Sequence, residues 1–340
     1  MTSGCENVKQ YYFEEERIRQ EILRLNAKRV LIQLPEGLKP EGPRLARTIE
    51  KFGALPLVSA DPCYGACDLA TEEAESLGVD LIIHYGHSKL LKYERVPTIY
   101  IEARATINVK DSVKKALPLL KKWQKIGLTT TVQHVQTLDE VREILLQAEK
   151  IVVIGDAGRL NYPGQVIGCD YSNAKSIAKD VEGFLFVGGG QFHALGVAIA
   201  TSKPTVIADP YEKRAYEISS EAEKFVKQRW AMIEEAKKAK AFAILIGLKL
   251  GQKRLEEAIS LKTRLEEKGK TAHLFVIREI APEALMEFPT IDAYVITACP
   301  RVSLDDASRF RKPMLTANEA LVTIDMVSWE DLCKKGWFEN

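Results

Sequence analysis

The sequence predicts an α/β fold built as three homologous parallel-sheet units in tandem around one central site. Three observations predict it. First, β-rich and helix-patterned segments alternate along the chain, the order that gives right-handed βαβ crossovers. Second, apolar strands opened by a proline recur at nearly even spacing: "VPTIYIEA" from Val96, "KPTVIADP" from Lys203 and "KPMLTANEA" from Lys312. Third, the strand before each of them also matches: "DLIIHYGHS" from Asp80, "GFLFVGGGQ" from Gly183 and "DAYVITACP" from Asp292. A repeat of about 100 residues is an ordinary domain size. The units are placed at 1–105, 106–212 and 213–340.

Within the first unit, "RVLIQLPEG" is a short strand ending in a turn, and "GPRLARTIEKFG" has helical spacing. "LPLVSADP" is extended, "LATEEAESLG" helical, and "DLIIHYGH" and "PTIYIEA" are strands. The opening strands of the second and third units are "GLTTTVQHV" and "FAILIGLKLG". "KKALPLLKKWQK", near Lys114, sets apolar residues on one face and lysines on the other, which predicts a solvated helix interrupted near Pro118.

A chain of 340 residues, 46% hydrophobic, can bury more than one core. Lys+Arg 48 against Asp+Glu 47 leaves a formal charge of +1, so no bulk field advertises nucleic acid or an anionic membrane. The opening "MTSGCENVKQYYFEEERI" is charged and lacks an apolar core, and "AFAILIGL" is too short to span a bilayer. The expectation is a cytoplasmic protein with no membrane contact and no direct nucleic-acid contact. In a reducing compartment its six cysteines are fillers, metal ligands or nucleophiles rather than a disulfide framework.

Laid on the repeat, the cysteines fall into a pattern. Cys67, in "YGACDLA", and Cys169, in "PGQVIGCDYSNAK", each follow a second strand and precede the third by similar intervals. Cys299, in "ITACPRVSLDD", ends a third strand. Each unit therefore offers one cysteine from a loop at the carboxyl end of a parallel strand, where open α/β sheets build their sites. If the units pack about a common axis, three thiolates form one cup. Structural zinc usually takes four close-spaced ligands, often in CxxC pairs, and none occurs here. A 4Fe-4S cluster held by three cysteines keeps one iron free for substrate. Any one buried cysteine is more often a small apolar filler; regular placement is what favours ligands. Cys63, four residues before Cys67, reads as packed or adjacent to the cluster. Cys5 lies in a tail expected to fray, and Cys333 follows the last repeat.

Other candidates are less specific. Arg301, two residues after Cys299, suits a carboxylate clamp or an ion pair with Asp305 or Asp306. Gly188, Gly189 and Gly190 end a strand before a helix and allow close approach to a ribose or carboxylate; the stretch is not GxGxxG. His193, in the same turn, suits orienting a substrate, although a lone histidine is more often structural. Gln165 and Gln252 fall in strand-end loops and suit hydrogen bonds to an adenine or amino group. His84, His134 and His273 read as structural.

"YGACD", "PGQVIGCDYSNAK" and "ACPRVSLDD", with "VLIQLPEGL", "GGGQFHALG", "IADPY", "KQRWAMI" and "RKPMLT", resemble the archaeal-type radical enzymes of diphthamide biosynthesis, the 2-(3-amino-3-carboxypropyl)histidine synthases. The resemblance runs from the first strand to Thr316. It implies a homodimer whose subunits each hold a 4Fe-4S cluster through Cys67, Cys169 and Cys299, fed by an electron donor. It implies S-adenosylmethionine as co-substrate, cleaved at the Cγ–S bond to methylthioadenosine and a 3-amino-3-carboxypropyl radical. That radical would add to imidazole C2 of a histidine in translation elongation factor 2. The CxxxCxxC loop of ordinary radical S-adenosylmethionine enzymes is absent, as the resemblance requires. Two other readings stay open: a quinolinate-synthase-like dehydratase using the free iron as a Lewis acid, and a non-catalytic iron-sulfur partner subunit.

Overall fold

The computed structural model describes residues 10–335 and 337–338; the Cys5 expectation lies outside them. Three parallel sheets carry the fold. The first orders its strands Leu55–Val58, Arg29–Gln33, Leu81–Tyr85, Thr98–Ile101. The second runs Ile151–Val153, Lys125–Thr130, Gly183–Val187, Thr205–Asp209, with an antiparallel edge strand, Arg214–Glu217. The third runs Thr271–Ile277, Ala241–Gly247, Ala293–Ile296, Met314–Thr316. In each sheet the chain visits the parallel positions in the same order: second strand, first, third, fourth. A short antiparallel pair, Tyr11–Tyr12 with Arg104–Ala105, lies outside them.

The strands are near-continuous apolar runs because helices cover both faces of a parallel sheet. Leu81–Tyr85, Gly183–Val187 and Thr205–Asp209 are buried at every position. Two expectations need trimming. "GLTTTVQHV" is strand only to Thr130, since Val132–Thr137 winds into a short 3-10 helix. The lysine-rich helix spans Lys110–Ala116 and stops before Pro118, with Val113 and Ala116 buried and Lys114 and Lys115 exposed.

One device recurs in all three sheets. The residue just before the third strand is acidic, and its carboxylate accepts the two backbone N–H groups where the first strand begins. Asp80 takes Lys28 and Arg29 at 2.7 and 2.8 Å. Glu182 takes Gln124 and Lys125 at 2.5 and 2.8 Å. Asp292 takes Lys240 and Ala241, both at 2.9 Å. These bonds favour the ionised form and hold all three carboxyls below the ordinary range. The contribution of a depressed carboxyl is complete above its unfolded pKa of about 4 and is lost as pH falls through the folded value. The combined variant Asp80→Asn, Glu182→Gln, Asp292→Asn is therefore expected to have a lower urea midpoint than the parent at pH 7 and a smaller gap at pH 3. An equal gap at both pH values would refute the device.

The second and third sheets share one apolar core, in which Phe184, Phe186 and Ile207 join Phe242, Ile244 and Val295. Helix Ser219–Ala236 contributes Phe225 and Ile233 to it. The first sheet has its own core, built from Val30, Ile32, Leu81 and Ile83 under helices Glu15–Leu25 and Gly42–Lys51. Polar contacts tie that sheet to the rest. Lys249 bridges Asp68 at 3.0 Å and Glu279 at 2.8 Å, and the Tyr64 hydroxyl donates to Glu279 at 2.8 Å. The Gln133 carboxamide donates to the Gly86 carbonyl at 2.7 Å.

Candidate metal centre

Cys67, Cys169 and Cys299 sit on three loops, each at the carboxyl end of a different sheet. Cys67 lies in the turn closed by the Asp68 N–H on the Gly65 carbonyl at 2.9 Å. Cys169 lies in a tight turn where Ile167 and Asp170 exchange backbone hydrogen bonds of 3.2 Å. Cys299 precedes helix Pro300–Asp305, and the Arg301 N–H meets its sulfur.

The loops converge. Burial pushes the Cys169 thiol up to about 12, and the neighbouring Cys299 and Cys67 push it further in the same direction. Burial likewise raises Cys299 to about 11, opposed by the Arg301 N–H and assisted by Cys67. Cys67 is raised by burial, while the Gln252 carboxamide opposes the rise. Three thiols thus share one half-buried place, and neighbouring sulfur penalises the ionisation of Cys169 and Cys299. Such a set resists negative charge on its own and accepts it readily when a cation is bound, because a coordinated thiol is deprotonated outright. Their spacing exceeds what one ion can bridge. Among the described residues, the only trio of His, Cys, Asp or Glu donors lying within 4.8 Å of one another is Cys63, His84 and His87. A soft, three-sulfur donor set too wide for a single ion fits a multi-iron cluster.

The surrounding residues come from all three sheets. Gln252 Nε2 donates to Cys67 Sγ at 3.4 Å, and the Gly251 N–H donates to the Cys67 carbonyl at 2.8 Å. The glycine is required there: a Cβ at Gly251 would lie 2.6 Å from Cys67 Cβ and 2.7 Å from its Cα. Arg301 pairs with Asp305 at 2.6 Å, donates to the Phe192 carbonyl at 3.3 Å, and stacks 3.5 Å from the Phe192 ring centroid. The ion-pair reading of Arg301 therefore holds for Asp305, and the pair leaves the guanidinium fixed beside Cys299. A Cβ at Gly168, next to Cys169, would lie 3.0 Å from that same ring. His193 stacks on Phe186, and burial, with Arg301 and then His87 nearby, lowers its pKa to about 3. It is a neutral imidazole.

Other expected residues lie elsewhere or are engaged. The room at Gly188 is taken by the Phe186 ring, and at Gly189 by Tyr211, leaving only Gly190 open. The Gln165 side-chain oxygen accepts the N–H groups of Asn161 and Tyr162, so it fixes its own loop. His134 meets the Tyr211 hydroxyl at 3.2 Å, and His273 is exposed on the edge strand Thr271–Ile277. Cys333 packs against the shared core. Cys63 is buried and within electrostatic reach of Cys67. Sequence reading passed over His87, Gly251 and Lys249. The only signal for His87 was its place three residues after His84 in "HYGHS".

No helix among the described residues is long and apolar enough to cross a membrane. Residues 34–333 match the family described as "Putative diphthamide synthesis protein". The chain is 42% identical over 311 residues to 2-(3-amino-3-carboxypropyl)histidine synthase of Pyrococcus horikoshii, covering 91% of this chain and 89% of that one. It is 31% identical over 330 residues to the human 2-(3-amino-3-carboxypropyl)histidine synthase subunit 1, covering 94% and 73%. A solved structure, Dph2 from Pyrococcus horikoshii with a 4Fe-4S cluster, superposes with a TM-score of 0.86 at 40% identity over 94% of this chain and 92% of that one. With family model, relatives and fold in agreement over nearly its whole length, the chain belongs to the diphthamide synthesis family and is an enzyme of the transferase class.

Proposed function

We propose that this chain transfers the 3-amino-3-carboxypropyl group of S-adenosylmethionine to imidazole C2 of a histidine in translation elongation factor 2. This is the first step of diphthamide formation, and it releases methylthioadenosine. Cys67, Cys169 and Cys299 hold a 4Fe-4S cluster, one ligand from each of the repeats 1–105, 106–212 and 213–340. The convergence of three half-buried thiols from three sheets supports this reading most; the common strand order and the repeated acidic clamp support the repeats. When bound, the cluster supplies the electron that breaks a sulfonium C–S bond, and the protein's task is positioning and exclusion of water.

The chain's own groups divide that task. Gln252 holds the Cys67 sulfur by its N–H and so orients one ligand. Arg301, fixed by Asp305 and by Phe192, presents a cation beside Cys299 for the carboxylate of the methionine part. His193, kept neutral, presents a hydrogen-bonding nitrogen without competing positive charge. Gly190 offers backbone with open space beside it for the nucleoside. The enzyme acts as a cytoplasmic homodimer and draws its electron from a separate donor.

The test is anaerobic transfer of label. Reconstituted, dithionite-reduced full chain is given carboxyl-labelled S-adenosylmethionine and elongation factor 2. Label confined to one histidine of the factor supports the reading. Transfer only after a second, related chain is added would make this chain a partner subunit, and no transfer by cluster-loaded protein would reject it.

A further inference from the structure

The trio Cys63, His84 and His87 is the one group of donors among the described residues close enough to share a single ion. None of its members belongs to the three-cysteine centre. His84 is the penultimate residue of the strand Leu81–Tyr85 and is fully buried, and Cys63 is 2% exposed. Gly86, at φ +81°, turns the chain so that His87 folds back, bringing its Nδ1 to 3.0 Å from His84 Nε2. Cys63 arrives from the loop after Leu55–Val58, two strands across the same sheet.

The orientation of His84 is fixed from behind. Gln33 is its partner in the strand pairing. The Gln33 carboxamide donates through Nε2 to the Asp68 carbonyl at 2.6 Å and accepts the Ala70 N–H at 3.2 Å. Its oxygen lies 2.8 Å from His84 Nδ1. An amide oxygen only accepts, so the His84 proton is on Nδ1 and the Nε2 lone pair points to His87. An imidazole with one nitrogen anchored by an outer acceptor and the other aimed into a donor cluster is the arrangement of metal-ligating histidines. Burial, and then Asp68, push the Cys63 thiol up to about 12, while the Gly65 N–H on its sulfur opposes that rise, so the thiolate forms only with a cation bound.

We propose that Cys63, His84 and His87 form a second metal site that takes one zinc-class divalent ion. One thiolate and two imidazoles suit zinc, and do not suit magnesium or calcium, which prefer oxygen. Binding displaces the thiol proton; the proton on His87 Nδ1 moves to that ring's Nε2, so both imidazoles stay neutral, and water completes the tetrahedron. Cys63 and Cys67 lie in one turn, so the ion pins the turn that carries Cys67 to the sheet behind it.

The test uses the full chain with Cys67→Ser, Cys169→Ser and Cys299→Ser, in which the three-cysteine centre is removed, titrated with cobalt(II) and then zinc. One cobalt per chain with a thiolate-to-cobalt charge-transfer band, displaced by zinc, is expected. Adding Cys63→Ser removes the band. Gln33→Leu, which keeps all three ligands, weakens cobalt binding about 10–100-fold, and His87→Gln weakens it by more. Circular dichroism establishes that each variant is folded. Should Cys63→Ser fail to fold, Gln33→Leu and metal analysis of the unmutated chain decide, with about one zinc per chain expected beside the iron. A band that survives Cys63→Ser, an affinity unchanged in Gln33→Leu, or no stoichiometric ion in the folded protein would overturn the site.

Discussion

Cys67→Ala, Cys169→Ala and Cys299→Ala are each expected to bring methylthioadenosine release and label transfer down to the uncatalysed background, with loss of cluster iron. The stability of the chain should change by only about 1 kcal/mol, the usual cost of a small truncation. Each of the three thiols is raised by burial, and Cys169 and Cys299 are raised further by neighbouring sulfur. Without a bound cation they gain nothing from being together, so removing one relieves the others. A structural role would give the opposite result: a large fall in stability with activity lost only in proportion to unfolding. Iron content, urea midpoint and product release on the same preparations separate the two. Normal cluster retention in any of the three variants would remove that cysteine from the site.

Gly251→Ala carries the next largest effect, although residue 251 is no ligand. Its added Cβ would fall 2.6 Å from Cys67 Cβ, 2.7 Å from Cys67 Cα and 3.0 Å from the Cys67 carbonyl oxygen. No flexible side chain can yield there, so one of the two loops must shift. The shift lengthens the Gly251 to Cys67 hydrogen bond and carries Gln252 away from the Cys67 sulfur. A misplacement of about 1 Å at a reacting centre costs on the order of 100-fold in rate, and overpacking costs about 1–3 kcal/mol. Turnover in Gly251→Ala should fall about 100-fold, with weaker iron retention. Gly37→Ala is the control, since a Cβ there meets nothing within 4 Å. Equal turnover in the two variants would mean that the meeting of the first and third sheets at Cys67 does not matter to the chemistry.

Much of the fold is legible because its signals are local. Strands that are buried on both faces must be continuous apolar runs, and a proline that opens a strand leaves a visible mark, as at Pro97, Pro204 and Pro313. The three cysteines stood out for a different reason: a rare residue type in a loop after a strand of each sheet, after the second strand at Cys67 and Cys169 and after the third at Cys299. What stayed hidden depends on register and packing between distant segments. The acidic clamp looks like an ordinary charged residue ahead of a strand until Asp80 is seen beside the start of Arg29–Gln33. The Gln33, His84 and Cys63 relation exists because parallel pairing sets Gln33 against His84. The shared core of the second and third sheets follows from the long helix between them, whose amphipathic spacing does not state which sheet it covers. Arg301 offered two readings from sequence. Its ion pair with Asp305 and its stack on Phe192, a residue far away in sequence, are contacts that no local pattern states.

If the three-cysteine centre directs cleavage of the Cγ–S bond, the nucleoside released reports it. The full chain is reconstituted anaerobically, reduced with dithionite and given S-adenosylmethionine without an acceptor protein, and the product is identified by mass. Methylthioadenosine is the expected product of such cleavage, absent from the Cys67→Ala, Cys169→Ala and Cys299→Ala variants. Release of deoxyadenosine, the product of cleavage on the ribose side, would contradict Cγ–S cleavage.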